Sequence, residues 1–235
     1  MLFYAPNLIL IAAAVIPAAA LMVYVYRADR LEKEPTVLLW GLILQGIIST
    51  ALAAFTERIG AQALSWFVGQ DRLIYHVIFY FLVVGLSEEG FKYLLLKRRT
   101  WASPYFNCRF DGVVYAVFVS MGFALWENIE YVVLYGLHAA FIRALTAVPG
   151  HACFGVFMGA WYGLAKSHQR HGSEQYSKIC RVLAVVCPLL LHGLYDLIAA
   201  LDGGGLSWTF VVFIGLMFLA AYRTVRRLSR TDRYI

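Results

Sequence analysis

The sequence predicts an all-α polytopic membrane bundle of about seven transmembrane helices, and three observations predict it. Of 235 residues, 61% are hydrophobic and 14% charged, against roughly 25% charged in an ordinary soluble domain. The apolar residues recur in blocks near the ~20 residues that a helix needs to cross a bilayer. Lys and Arg concentrate in alternate connections, the pattern of the positive-inside rule.

The blocks run over 2–26, 35–55, 73–96, 110–135, 143–165, 179–200 and 206–222. The first lacks a basic residue ahead of its apolar run and has Arg27, Arg30 and Lys33 behind it, so it reads as an uncleaved anchor, not a signal peptide. The second leads to a connection holding only Arg58 and Arg72. The third runs into Lys97, Arg98 and Arg99, with Arg109 before the fourth. Only Arg143 follows the fourth. After the fifth comes "KSHQRHGSEQYSK" (166–178), expected to be a polar cytoplasmic loop whose His168 and His171 are solvated. "LDGGG" (201–205) has no basic residue, and the tail carries Arg223, Arg226, Arg227, Arg230 and Arg233. The expected topology therefore has the N-terminus outside and the C-terminus cytoplasmic. The formal charge of +6 belongs to that topology and does not call for nucleic acid. Cys108, Cys153, Cys180 and Cys187 show no paired spacing and receive no role. With no repeat or long linker, residues 1–235 are expected to form one membrane domain.

Function is expected where the spans carry polar groups, because an ionisable residue in a span faces the protein interior or a water-filled cavity. Glu88 and Lys92 lie four apart and share a helix face, which predicts an ion pair, whereas Glu89 points about 100° away. Glu127 shares a face with Phe123, and Glu130 reaches an interface. His151 heads a span rich in Gly150, Gly155, Gly159 and Gly163, spacing that permits close helix contact. His192 and Asp196 are four apart, so the carboxylate is placed to orient the ring. Counted from the basic edges, Glu88, His151 and His192 share a depth, and Glu127 comes out deeper. Asp111 is expected to cap the fourth span.

These residues alone leave several classes open. A glutamate that takes a proton from water and a histidine that assists the leaving amine suit hydrolysis. A proton-coupled transporter uses similar groups, though no inverted repeat is evident. A scaffold or immunity-type protein would use them to specify packing. A zinc-dependent protease built on His151, His192 and a glutamate is a lesser alternative, because no H-E-x-x-H helix is present; no cofactor and no tightly bound zinc are expected.

"EEGFK" (88–92), "FALWE" (123–127), His151 and "HGLYD" (192–196) resemble, in order, the motifs of the PrsW-type glutamic intramembrane proteases. That family belongs to a larger superfamily with the CAAX prenyl proteases and bacteriocin-immunity (Abi) proteins. The resemblance covers about 73–200, and glutamate at 127 is similar to the PrsW branch, since the prenyl-protease branch usually has histidine there. It implies cleavage of a membrane-anchored protein, of which an anti-sigma-factor-like regulator is the family's example. It further implies catalytic roles for Glu88, Glu89, Glu127, His151 and His192, with Lys92, Phe123 and Asp196 supporting them. Within that set, Glu89 is expected to act with Glu88 in activating water, Lys92 to pair with Glu88, and Glu89→Gln to leave folding nearly intact.

Overall fold

Every expected span becomes a helix, and from the second onward most of the helices run longer than their hydropathy peaks. In the computed structural model, which describes residues 8–201 and 207–235, the helices are α1 (Leu8–Ala28), α2 (Thr36–Phe67), α3 (Leu73–Ile78), α4 (Leu86–Thr100), α5 (Asp111–Leu145), α6 (Ala147–Arg170), α7 (Glu174–Leu201) and α8 (Trp208–Arg230). A π-helical segment, Phe79–Gly85, joins α3 to α4, so that Leu73–Thr100 is one pass. Residues 2–7 of the first expected span and most of "LDGGG" lie outside the described residues.

Six stretches are long and apolar enough to cross a membrane, and one of them, Asp111–Arg170, has 60 residues. Straight, it would measure about 90 Å, three times a hydrocarbon core. It is instead two passes. Gly136 takes φ 77° and ψ −165°, a conformation that glycine adopts without steric cost, and Thr146 breaks the helix again. Among the described residues the fold is thus an all-α bundle of about seven passes. Gly136 also reverses direction: Arg143 lies 2.8 Å from Glu127, although sixteen residues of straight helix would separate them by about 24 Å.

α5 is the central helix. Its residues from Asp111 to Ala124 are all buried, enclosed by α1, α2 and α6. With no hydrophobic force between helices in lipid, such contact depends on close backbone approach. At Gly46 of α2 and Gly122 of α5 an added Cβ would collide with the opposing backbone. Gly159 does the same for α6 against α5 and Gly163 against the Arg109 backbone just before it, as expected, while Gly150 meets the Tyr195 and Phe154 rings at ordinary contact distance.

The basic helix ends gather at one face of the bundle. Ser229 Oγ donates to the carbonyl of Ala28, Lys166 Nζ donates to the carbonyl of Trp101 at 2.7 Å, and the Arg109 amide donates to the Arg233 carbonyl at 3.4 Å. The expected loop at 166–178 is almost entirely helical. α6 continues through His168, α7 begins at Glu174, and only three residues intervene. Hydropathy falls at the membrane surface, but backbone hydrogen bonding does not, so polar helix ends read as loop. Asp111 is likewise no helix cap: its Oδ2 accepts the amides of Asn107 (3.0 Å) and Cys108 (2.7 Å), tying the preceding loop to α5. All four cysteines are free thiols.

Between α1 and α2 the chain buries two acids, Asp29 and Glu34. Burial, reinforced by Asp232 and Glu32 and opposed by Lys33, pushes Asp29 up to about 6. Burial, reinforced by Asp29 and Glu32 and opposed by Tyr115, pushes Glu34 up to about 7. Folding therefore takes up protons at both. Their stabilisation is full below the ordinary carboxylate range and is lost as pH rises through about 6 to 7. Raising the pH from about 5 to about 8 should lower the thermal midpoint of the purified protein, and Glu34→Gln should flatten that dependence. A Glu34→Gln protein with the parent's pH slope would count against this origin.

Candidate active site

The π-helical segment prepares the position of the glutamates. One extra residue per turn rotates α4 relative to α3, and such segments recur at functional sites. Here the segment packs on α7 at two glycines: a Cβ on Gly193 would strike the Phe81 ring at 2.7 Å, and one on Gly85 would sit 3.2 Å from the Leu189 carbonyl. That contact carries His192, one residue before Gly193, against the first turn of α4.

What meets there is a chain of polar groups drawn from four helices. Lys92 Nζ donates to Glu89 Oε1 at 2.7 Å and to Glu88 Oε2 at 3.1 Å, and lies 3.2 Å from His151 Nδ1. It also stands 3.8 Å from the centre of the Phe123 ring, in cation–π geometry. His192 Nδ1 bonds Glu89 Oε1 at 2.9 Å, and its Nε2 faces Asp196 Oδ2 at 3.4 Å. The other ring nitrogen of His151, Nε2, bonds Glu127 Oε2 at 2.8 Å. With an ammonium at Nδ1 and a carboxylate at Nε2, His151 accepts at the first and donates at the second, which selects its tautomer. The two imidazoles meet edge to face at 5.3 Å, and Phe154 stacks on His192 at 4.7 Å.

All eight residues singled out in the sequence therefore converge, with one rearrangement of partners. Glu89 is not the unpaired member of its helix turn. It is the closer partner of Lys92, because a residue at i+3 also shares the face. Glu89 and Lys92 are fully buried, while the Glu88 side chain is 8% exposed. Glu127, expected to lie too deep, reaches His151 because the helices outrun their hydropathy edges. Measured from helix ends on the basic face, Glu88 is about 18 Å in, Glu127 about 24 Å, His192 about 27 Å and His151 about 28 Å. Glu130 is exposed and accepts from Trp126 Nε1 at 2.7 Å, outside the cluster.

A cavity of about 290 Å³ adjoins this chain, and Glu57, Phe79, Tyr131 and Ala147 from the half of the bundle away from the basic face help to line it. Glu88, Glu127, His151, His192 and Asp196 line it; Glu89 and Lys92 do not. Two further charged residues, Glu57 and Arg143, also line it. Glu57 lies on α2, two residues past the expected end of its span. A signal for it existed, since Gly46, Thr50, Ala53, Glu57 and Gly60 repeat at helical spacing as a stripe of small and polar residues. Arg143 reaches the cavity because the chain folds back at Gly136. Its Nε donates to Asn128 Oδ1 at 3.1 Å, and Asn128 Nδ2 donates to the Ala14 carbonyl at 2.9 Å, which anchors the Arg143–Glu127 pair to α1. Nothing in the local sequence announces that contact.

Glu88, Glu89, His151 and His192 each place a nitrogen or oxygen within 4.8 Å of the others. By donor type, this is a set that zinc accepts.

A profile of the "PrsW family intramembrane metalloprotease" matches residues 34–222. Among curated proteins, a Protease PrsW of Oceanobacillus iheyensis is 34% identical over 225 residues, spanning 94% of this chain and 97% of that protein. The Protease PrsW of Halalkalibacterium halodurans is 31% identical over 224 residues, with 95% and 99% covered, and that of Bacillus subtilis 32% over 217 residues, with 89% and 90% covered. No solved structure matches.

Proposed function

Since the chain belongs to the PrsW protease family, we propose that it is a multi-pass bacterial intramembrane endopeptidase that uses Glu88 to activate water against a peptide bond of a membrane-anchored protein. One observation carries this: a cavity inside the bundle, roomy enough for water, is lined by a glutamate, two histidines and three further carboxyls, in a family of proteases.

The chemistry follows from which groups face the cavity. Glu88 lines its wall, and its Oε2 lies 3.8 Å from His192 Nδ1. A water held there gives its proton to Glu88 as its oxygen bonds to the scissile carbonyl carbon. His192 sits beside the developing oxyanion as a donor through Nε2, whose contact with Asp196 is the longer one at 3.4 Å, while Nδ1 stays on Glu89. The carbon–nitrogen bond then breaks, and the proton held by Glu88 passes to the leaving amine. Glu89 touches no cavity atom and acts by holding Lys92 and His192 in place. Glu127, clamped by Arg143, fixes the His151 ring, and Asp196 orients His192 from the other side.

By the positive-inside rule we assign the basic face to the cytoplasm, and with it the N-terminus and the cavity's half of the bundle to the outer side. A membrane-anchored substrate would then be cut toward its extracytoplasmic end; a regulator of the anti-sigma type that the family resemblance implies is the first to assay. The test is co-expression with such a substrate in defined lipid, scored per folded protein, with a reporter fused after Ile235. The parent should release a fragment, His192→Ala should lower turnover by about 10²–10⁴-fold, and Asp196→Asn should be milder because the imidazole remains. The reporter should read as cytoplasmic. Undiminished cleavage by His192→Ala would remove the histidine from the mechanism, and an extracytoplasmic reporter would reverse the orientation.

A further inference from the structure

The family's description includes a metal, and the four donors of the cluster suit one by type. The cluster has a fifth member that does not. Lys92 Nζ lies 2.7 Å, 3.1 Å and 3.2 Å from donor atoms of Glu89, Glu88 and His151, three of the four potential ligands. An ammonium has three N–H donors and no acceptor, and here each donor has a buried acceptor, with the Phe123 ring closing a further side. The fourth potential ligand, His192, directs Nδ1 at Glu89 Oε1. A zinc ion bonded to these atoms at about 2 Å would stand against the ammonium nitrogen, doubly charged against singly charged in a medium that screens poorly. As folded, the residues do not fit a metal.

We infer that Lys92 is the resident cation of this cluster, occupying the position a divalent metal would take, and that removing its ammonium converts the cluster into a zinc site. A lysine four residues after Glu88 and three after Glu89 reaches back over the same helix face. The carboxylates of two adjacent glutamates can thus be neutralised from within one helix turn, without a metal drawn from solution. Lys92→Met keeps the length of the stem and removes the charge. It leaves Glu88, Glu89, His151 and His192 with two carboxylates and two imidazoles, a set that can fill the four positions of zinc.

The test reads zinc, independently of cleavage, and so stands or falls apart from the protease assignment. The full-length protein and its variants are purified in detergent, exposed to zinc alone, desalted, and analysed for metal content and thermal midpoint. The parent should hold substoichiometric zinc, with no shift of its midpoint. Lys92→Met should hold about one zinc per chain and gain midpoint with zinc, and adding His151→Ala or His192→Ala should abolish both. Where Lys92→Met does not fold, the charge-balanced Lys92→Met/Glu88→Gln protein retains Glu89, His151 and His192 as ligands and should behave in the same way. A parent carrying one zinc per chain, lost with His151→Ala, would overturn the inference. So would a folded variant lacking Lys92 that takes up no zinc. If neither variant folds, the parent decides alone: failure to take up zinc supports the resident ammonium, and uptake refutes it.

Discussion

Glu88→Gln is expected to reduce peptide-bond cleavage by about 10²–10⁴-fold while leaving the thermal midpoint close to that of the parent. The amide keeps the size of the side chain and can still accept from Lys92, but it cannot take a proton from water. Its structural share is modest. Glu88 is the more distant of the two carboxylates on Lys92, at 3.1 Å, and its side chain reaches the cavity, where water can satisfy it. Turnover at the parent's rate by a folded Glu88→Gln protein would take the base away from this residue.

Glu89→Gln should behave differently, and the contrast separates the two neighbours. Glu89 Oε1 accepts from Lys92 at 2.7 Å and bonds His192 Nδ1 at 2.9 Å, with no exposed surface at all. Removing one partner of a fully buried ion pair leaves the other uncompensated, a loss of about 3–5 kcal/mol. The expected result is a clear fall in thermal midpoint together with lost cleavage, since His192 loses its anchor. This departs from the expectation that glutamine at 89 would leave folding nearly intact. That expectation rested on glutamine keeping the size and hydrogen-bonding capacity of the side chain; the i,i+3 ion pair adds a charge that an amide does not supply. A Glu89→Gln protein with an unchanged midpoint and no turnover would reassign the base to Glu89 and return Glu88 to a structural role.

Together the two substitutions distinguish a group that reacts from a group that supports. Both glutamates are adjacent in sequence, both are buried, and both are attached to the same lysine. What differs is which of them reaches the cavity wall. That depends on the rotation of α4 set by the π-helical segment, whose seat against α7 requires the absence of side chains at Gly85 and Gly193.

The sequence by itself determined the fold class, the seven passes, the segregation of basic residues and the eight residues of the polar cluster. Each follows from a local property. A span is a run of apolar residues of fixed length, and Glu, Lys, His and Asp inside such runs cost too much to be placed there without partners. Tertiary structure alone decided who partners whom. Lys92 was legible as the partner of Glu88 because the spacing is helical, but its contacts with Glu89 and His151 needed the rotamer and the crossing of α4 with α6. Glu57 and Arg143 were hidden for a different reason. Hydropathy reports where lipid ends, and α2 continues beyond that point, while Gly136 turns the chain back so that Arg143 meets a carboxylate sixteen positions earlier. Contacts of that kind depend on helix crossings and chain reversals, which have no local signature in composition or periodicity.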